Sequence, residues 1–408
     1  MLSHLFTITP ISTYNLMKSK LLFAVLFLFA FASHSQQYIP YYATIANQVS
    51  VTNVLNDLTE FENLGVKRRG TAALQNTLTW IKNKYTSYGY TASQMQEYSF
   101  SNGNATCKNL VLTKIGTTYP NTFVIICGHY DTITGTGTND NGSGTAILLE
   151  VARLLQNIPT EYSIKFINFS GEEDGLIGSQ NFVSNVVNST NPKMNIKLVF
   201  NIDEVGGRAD MDNDTITCER DTGSPTSNNA ASNAVTNELI TCVELYSDLF
   251  TDLSYAYASD YMPFEENNEI ITGFFETNET PYKHTANDLL ENMDPNYVYR
   301  VGKAATGAMM HFAVAATSAL GNDKVKDATL MNVFPNPTAQ FLNINFGNQT
   351  PTATTVSLID INGKVVIQQS FNKPNQIETI PISSLAKGIY LAVIKSNVIR
   401  YTQKIVLN

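Results

Sequence analysis

Side chains of the kinds that bind metal ions follow four short apolar runs of this sequence. The first run leads to His129, and Asp140 follows in a glycine-rich segment. The other runs lead to Glu172–Glu173, to Asp203 and, through a loop, to His284. Because the carboxyl ends of parallel strands meet at one edge of an open α/β sheet, these residues should lie together. Histidine and carboxylate are ligands that hydrolytic zinc sites use, so the pattern predicts a hydrolytic metal site.

The inventory of ligand-type residues matches the needs of a two-metal site. Two histidines and three carboxylates can hold two zinc ions about 3.5–4 Å apart, with one carboxylate bridging them. A further carboxylate must take a proton from water, and the adjacent Glu172 and Glu173 provide one group for each role. Asp131 can accept a hydrogen bond from the second ring nitrogen of His129. Each motif alone also fits a turn, a helix cap or a surface side chain, but their combination in a chain with 5 histidines favours a site.

The segments that carry these residues alternate between short apolar runs and helical stretches from about residue 36 to residue 316. Such alternation predicts an α/β domain with a mainly parallel or mixed sheet flanked by helices. Helical spacing of apolar residues predicts helices over Thr71–Tyr88 and Thr145–Leu155. The predicted buried strands are Phe123–Cys127, Ile164–Phe169, Leu198–Ile202 and Ile270–Phe275.

A segment of different character follows the polar stretch Gly321–Asp327. It alternates polar and apolar residues in short runs, which predicts a small antiparallel β-sandwich. An Asn362-Gly363 turn signal stands between the runs Val356–Ile359 and Val365–Ile367. We therefore divide the chain into a catalytic domain over 36–318, a linker over 319–329 and a β-domain over 330–408. The pattern alone leaves open a carbohydrate-binding or stabilising role for the β-domain.

The amino-terminal segment predicts export. Lys18-Ser19-Lys20 precedes the apolar run Leu21–Ala32, which is too short to cross a bilayer as a stable helix. We therefore predict a signal peptide over residues 1–35, with an N-terminal membrane anchor as the alternative. No stable membrane span is expected once the signal peptide is cleaved.

Charge and cysteine content argue against a nucleic-acid-binding protein and against a thiolate zinc site. A formal net charge of -9 argues against a nucleic-acid partner, because no basic stripe is present to neutralise phosphates. The 4 cysteines form no CxxC pair, which argues against a thiolate zinc site. Export would allow one disulfide, with Cys218–Cys242 as the candidate pair, although the sequence alone does not decide the pairing.

The order and wording of the motifs resemble the M28 family of zinc aminopeptidases over roughly residues 60–312. The resemblance implies that His129 and Asp203 hold one zinc ion, that Glu173 and His284 hold the other, and that Asp140 bridges them. The motifs that carry it are His129-Tyr130-Asp131, Asn139–Gly144, Gly171–Ser179, Asn201–Asp203 and Tyr282–Thr285, with Asp288 downstream.

The implied activity is hydrolysis of N-terminal residues from peptides with free N-termini. A water activated by two metals would attack the peptide carbonyl, and Glu172 would act as general base and then general acid. The sequence departs from the family in Ser259-Asp260-Tyr261, where Tyr261 replaces a histidine. We expect this change to spare the metals, but it leaves any role of Asp260 in doubt.

Three motifs in the last 80 or so residues resemble the C-terminal sorting domain of the type IX secretion pathway of Bacteroidetes-type bacteria. They are Val333–Pro337, Ile359–Lys364 and Lys387–Tyr390. The resemblance implies the secretion machinery as a partner and passage through the periplasm. The protein would then be released or attached to the cell surface.

Other functions fit parts of the pattern. A glutaminyl cyclase shares this fold but uses one zinc ion to cyclise an N-terminal glutamine. Tryptophans line the pocket of such cyclases, whereas Trp80 is the one tryptophan here, and the Glu172-Glu173 pair suits hydrolysis. A carboxypeptidase or dipeptidase of the same fold remains open. A binding protein that has lost its metals is disfavoured because every ligand candidate is retained.

Overall fold

The computed structural model describes residues 37–317, 332–346, 353–360, 364–396 and 400–408. The chain divides into two compact units with the boundary between Leu320 and Gly321. The predicted signal peptide and linker lie outside the described residues, so their bounds stay predictions. Within the described part of the chain, no helix has both the length and the apolar character that crossing a bilayer requires.

An eight-stranded mixed sheet forms the centre of the first unit. In chain order its strands are β1 (Met95–Asn102), β2 (Ala105–Lys114), β3 (Tyr119–His129), β4 (Tyr162–Phe169), β5 (Asn195–Ile202), β6 (Thr215–Arg220), β7 (Phe250–Tyr255) and β8 (Ile271–Glu276). Their order across the sheet is β1-β2-β4-β3-β5-β8-β6-β7. Strands β4, β3, β5 and β8 are parallel neighbours, and β6 pairs parallel with β7. Antiparallel pairs join β1 to β2, β2 to β4 and β6 to β8, which confirms the prediction of a mixed sheet.

The central strands are apolar along their length because both faces of the sheet are covered. In β3, Val124 and Ile126 pack into one hydrophobic core, while Ile125 and Cys127 pack into a second. This alternation follows from the period of two along a strand. The four predicted strands are present, and β3 begins four residues earlier than predicted because its first residues are exposed and partly polar.

Helices cover both faces of the sheet. They are α1 (Pro40–Ala46), α2 (Val51–Asn63), α3 (Ala72–Ser87), α4 (Gly142–Leu155), α5 (Ile177–Phe182), α6 (Asn229–Tyr246), α7 (Met262–Glu266) and α8 (Pro295–Phe312). The Thr71 hydroxyl accepts a hydrogen bond from the Leu74 N–H and so fixes the start of α3. Helix α4 begins at Gly142 rather than at the predicted Thr145, because the Asn141 side chain caps it through the Gly144 N–H.

No disulfide joins the four cysteines, which are buried thiols, so the candidate Cys218–Cys242 pair is wrong. Cys218 on β6 and Cys242 on α6 both pack in the larger hydrophobic core. Burial raises the pKa of both thiols, which disfavours the thiolate form that oxidation requires. These cysteines act as small apolar side chains.

The second unit contains two antiparallel sheets and confirms the predicted β-sandwich. Its strands are β9 (Asn332–Phe334), β10 (Phe341–Asn345), β11 (Thr354–Ile359), β12 (Val365–Phe371), β13 (Ile377–Pro381), β14 (Gly388–Ser396) and β15 (Arg400–Leu407). One sheet has the order β13-β10-β9 and the other β12-β11-β14-β15. Leu342 of the first sheet and Val356 of the second share one core. The predicted turn residues Asn362 and Gly363 lie outside the described residues, but the flanking strands pair as expected.

Candidate active site

The candidate site lies at the carboxyl ends of β3 and β5, which are parallel neighbours. From β3 the chain passes to β4, which lies on one side of β3, whereas β5 and then β8 lie on its other side. The ends of β3 and β5 therefore flank a topological switch point of the sheet. His129 is the last residue of β3, and Asp203 follows β5 directly. The Ser259 hydroxyl donates a hydrogen bond of 2.5 Å to Asp203 Oδ2 and holds that carboxylate in place.

The structure brings the five predicted metal ligands together. His129 Nε2 lies 3.2 Å from Asp203 Oδ1 and 3.2 Å from Asp140 Oδ1. His284 Nε2 lies 3.1 Å from Asp140 Oδ2 and 2.9 Å from Glu173 Oε2. Each oxygen of Asp140 therefore faces a different imidazole. A carboxylate between two metal ions has this arrangement.

The ligand atoms form two compact groups, each within 4.8 Å. One group is Asp140, Glu173 and His284, and the other is His129, Asp203 and Glu172. Glu172 thus lies close enough to the first histidine to be considered as a ligand, although its Oε2 is 3.9 Å from His129 Nε2.

The electrostatics of the cluster fit divalent cations. Burial opposes a charge on His129, yet the Asp203 and Glu172 carboxylates raise its pKa well above the usual range. Burial alone would raise the pKa of Asp140, but the two imidazoles hold that pKa below its usual range. Burial and the neighbouring Asp140 raise the pKa of Glu173 to about 8. The carboxylates thus favour positive charge at this cluster. Zinc ions would supply that charge, and nitrogen and oxygen donors are ligands that zinc accepts.

The Asp131 carboxylate lies near the His129 ring, but it is not the nearest acceptor. His129 Nδ1 lies 3.2 Å from the Asp131 backbone oxygen, and the Asp131 carboxylate is further away at 3.7 Å. The carboxylate instead accepts a hydrogen bond of 3.3 Å from the Glu172 backbone N–H. The backbone carbonyl is therefore the nearer partner of the imidazole, and the Asp131 side chain fixes the segment that carries Glu172.

Two acidic residues form hydrogen bonds that hold the segment containing Asp140 in place. Asp288 accepts hydrogen bonds from the backbone N–H groups of Asn139 and Asp140, at 2.8 and 3.1 Å. Glu276, the last residue of β8, accepts from the Asn139 side chain and from the Gly207 N–H. Asp288 belongs to the motif set of the sequence but had no predicted role, and Glu276 was missed. The feature of the sequence that could have identified Glu276 is its position as an acidic residue at the end of a buried strand.

Asp288→Asn is expected to weaken zinc binding about 10–100-fold, which is typical when an outer partner of a metal ligand is lost. The amide nitrogen of asparagine cannot accept the second backbone hydrogen bond, so the Asp140 segment loses one of its two anchors. Competition with a chromophoric chelator measures the affinity.

Asp294→Asn is the matched control for this change. Asp294 also accepts a backbone N–H, from Asn296 at the start of α8, and it lies outside the ligand groups. Equal zinc affinity in Asp288→Asn and Asp294→Asn would show that Asp288 does not position the site.

A cleft of about 450 Å³ opens beside the ligand groups. Its remaining wall includes Ile133, Leu176, Glu219, Tyr257, Tyr261 and Phe275. Four non-glycine residues of this wall have positive φ angles: Leu176 at 60°, Glu204 at 44°, Ala258 at 46° and His284 at 58°. Such backbone conformations are unfavourable for residues with a Cβ, and they are concentrated at functional sites.

The sheet, its switch point and the convergent imidazoles and carboxylates define the first unit as a metallopeptidase-type α/β domain. Residues 109–309 match the family model of peptidase family M28. Residues 332–408 match the family model of a secretion system C-terminal sorting domain. The protein is therefore addressed to secretion or to the cell surface, as the tail motifs predict.

Curated relatives include aminopeptidases and zinc metalloproteases. Aminopeptidase YwaD of Bacillus subtilis is 31% identical over 192 residues, which are 46% of this chain and 40% of that protein. A probable zinc metalloprotease of Pyrenophora tritici-repentis is 26% identical over 257 residues, which are 51% of this chain and 57% of that protein. The chain thus spans about half the length of these relatives.

Solved structures share the fold. The LapA aminopeptidase of Legionella pneumophila aligns with a TM-score of 0.58 at 22% identity, over 68% of this chain and 75% of that chain. A glutaminyl cyclase of Fimbriiglobus ruber aligns with a TM-score of 0.53 at 15% identity, over 64% of this chain and 95% of that chain. The fold therefore accommodates both activities, and the site must distinguish them.

Proposed function

We propose that this protein is an exported aminopeptidase that hydrolyses the first peptide bond of peptides with free N-termini and depends on two zinc ions. The observation that carries the proposal is the position of Asp140, whose two oxygens face His129 and His284 at 3.2 and 3.1 Å. A shared carboxylate between two imidazoles is what a dinuclear hydrolytic site requires.

The ligand groups suggest which residues would hold the metals. His129 and Asp203 would hold one zinc ion, Glu173 and His284 the other, and Asp140 would lie between them. When bound, the zinc ions would polarise the peptide carbonyl and lower the pKa of water at the site. The hydroxyl of Ser259 and the carboxylate of Asp288 keep these ligands oriented.

Glu172 is the residue that we assign to proton transfer. It lines the cleft in the same group as His129 and Asp203, and its backbone is fixed by the hydrogen bond to Asp131. From this position its carboxylate would accept a proton from water and deliver it to the departing amine. The adjacent Glu173 contacts His284 directly, so the two neighbouring glutamates have different environments.

The charge of the cleft favours an amine over a carboxylate as the end group of the substrate. Asp203, Glu204 and Glu219 line the wall beyond Glu172 and Glu173. Lys283, the lysine of this wall, pairs with Glu204 and Glu279. Apart from the candidate zinc ligands and Glu172, the charged side chains of this wall are two glutamates and one lysine that is already paired. The wall therefore offers no unpaired cation of its own to a C-terminal carboxylate, which disfavours a carboxypeptidase.

Glutaminyl cyclisation is the second candidate because a cyclase shares the fold. The position of Trp80 disfavours it. The Trp80 indole N–H donates to Glu60 Oε2 at 2.6 Å, and the ring packs against Phe61 away from the residues that line the cleft. The cleft therefore has no tryptophan wall.

Export would proceed through the periplasm and the type IX secretion machinery, which would recognise the β-sandwich of residues 332–408. The match to a sorting domain supports this proposal. The candidate metal ligands all lie between His129 and His284, so the sorting domain would take no part in the chemistry.

Release of amino acids from unblocked and N-acetylated peptides by the full chain tests the proposed activity. Chelator-sensitive release from unblocked peptides only, restored by zinc, is the expected result. Ammonia from N-terminal glutamine without peptide cleavage would assign the protein to the cyclases, and release from the C-terminus would assign it to the carboxypeptidases. Turnover of neither kind in a zinc-loaded sample would favour a binding protein.

A further inference from the structure

Two glutamates line the cleft outside the predicted ligand set and Glu172. Glu204 is 8% exposed and Glu219 is 3% exposed. The Oε2 atom of Glu204 is buried without a hydrogen-bond partner among the described residues. A buried carboxylate oxygen that makes no hydrogen bond is costly, so its presence at the wall of a cleft points to a partner that arrives from outside.

Glu219 is held in position by an aromatic wall. Its Oε2 accepts a hydrogen bond of 2.6 Å from the Tyr261 hydroxyl, which in turn accepts one of 3.1 Å from the Tyr257 N–H. Gly273 lies directly behind this pair, because a Cβ there would come within 2.7 Å of the Tyr261 ring and 2.9 Å of Glu219 Oε2. Tyr261 thus orients Glu219 and leaves Glu219 Oε1 without a hydrogen bond from the described residues.

The cation already present in the wall does not balance these carboxylates. Lys283 Nζ lies 3.6 Å from Glu204 Oε1, and the same amine pairs with Glu279. It therefore leaves Glu204 Oε2 unpaired and makes no ion pair with Glu219. Burial raises the pKa of Glu219 to about 8, although the hydrogen bond from Tyr261 acts in the opposite direction. No lysine or arginine other than Lys283 is among the residues that line the cleft.

We propose that this part of the cleft binds a positively charged side chain, so that the enzyme prefers lysine or arginine as the first residue of its substrate. This inference rests on the proposed aminopeptidase function. Tyr257 and Phe275 would pack against the aliphatic stem, and Glu219 and Glu204 would accept hydrogen bonds from the charged end. Glu219 and Glu204 would be specificity-determining residues.

The p-nitroanilides of lysine and norleucine provide the test, because norleucine has the same four-carbon side chain without the ammonium group. The kcat/KM for lysine should exceed that for norleucine about 10-fold or more in the full chain, since hydrogen bonds between charged groups discriminate strongly. Glu219→Gln and Glu204→Gln should each lower this ratio, with the ratio approaching 1 in the double variant. A ratio within one preparation does not depend on the fraction of folded protein.

Glu244→Gln is the charge control, because Glu244 is exposed on α6 and lies outside the cleft. Its lysine-to-norleucine ratio should equal that of the unmodified protein. Equal or faster hydrolysis of norleucine by the unmodified protein, or an unchanged ratio in both glutamine variants, would overturn the inference and leave the aminopeptidase function intact. Hydrolysis of neither substrate, nor of the leucine p-nitroanilide, would overturn the proposed function itself and this inference with it.

Discussion

Glu172→Gln is expected to lower kcat about 10²–10⁴-fold, the usual contribution of a positioned general base, while zinc binding is kept. Glutamine has nearly the same shape as glutamate but cannot accept a proton at neutral pH. The backbone N–H of residue 172 would still donate to Asp131, so the segment should keep its conformation. Steady-state kinetics on an unblocked peptide, with metal content from mass spectrometry, provide the measurement.

The neighbouring variant Glu173→Gln is the matched comparison. Glu173 Oε2 lies 2.9 Å from His284 Nε2, so its replacement should reduce zinc content as well as turnover. If Glu172→Gln lost zinc to the same degree as Glu173→Gln, Glu172 would be a ligand, and the general-base assignment would be wrong. The grouping of Glu172 with His129 and Asp203 makes this comparison informative.

Asp140→Asn is expected to abolish zinc-dependent turnover and to remove metal from both positions. An asparagine presents an NH₂ group to one of the two imidazoles, and its single oxygen cannot serve both sides. His284→Ala should instead affect only the position that it shares with Glu173. Metal content per chain after dialysis against dilute zinc distinguishes the two variants.

The Asp140 experiment distinguishes a site in which Asp140 bridges two zinc ions from a site in which it does not. Loss of about the same amount of metal in Asp140→Asn and His284→Ala would argue against a bridging carboxylate. Full zinc content and full activity in Asp140→Asn would remove the basis of the proposed two-metal function, because that proposal depends on the two distances from Asp140.

The sequence predicts the central sheet well because the information there is local. Continuous apolar runs such as Ile164–Phe169 are typical of strands that are buried on both faces, and a parallel sheet brings their carboxyl ends to one edge. His129 and Asp203 therefore come together as predicted. Strands β1, β2, β6 and β7 were not predicted. In the edge strands β1 and β7, exposed and polar residues such as Gln96 and Asp252 weaken the alternation.

The partners of several side chains at the site depend on tertiary contacts and could not be predicted from the sequence alone. The choice between the carboxylate and the backbone oxygen of Asp131 depends on how the chain turns after β3, and no pattern of residue types encodes that turn. Tyr261 was expected only to leave the metals undisturbed, yet its hydroxyl binds Glu219 from a distant strand. Asp260 is fully buried, and burial raises its pKa to about 7, but no contact assigns it a role. The roles of the individual ligands remain predictions for the experiments above.

The left-handed backbone at Leu176, Glu204, Ala258 and His284 affects how this protein could be made more robust. Each such residue costs of order 1 kcal/mol or more of folding free energy. A glycine at these positions would relieve the strain, but it would also delete a side chain from the cleft wall or from the ligand set. Substitutions meant to raise the thermal stability of this protein should therefore be placed away from the cleft, because stability and specificity are opposed at these four positions.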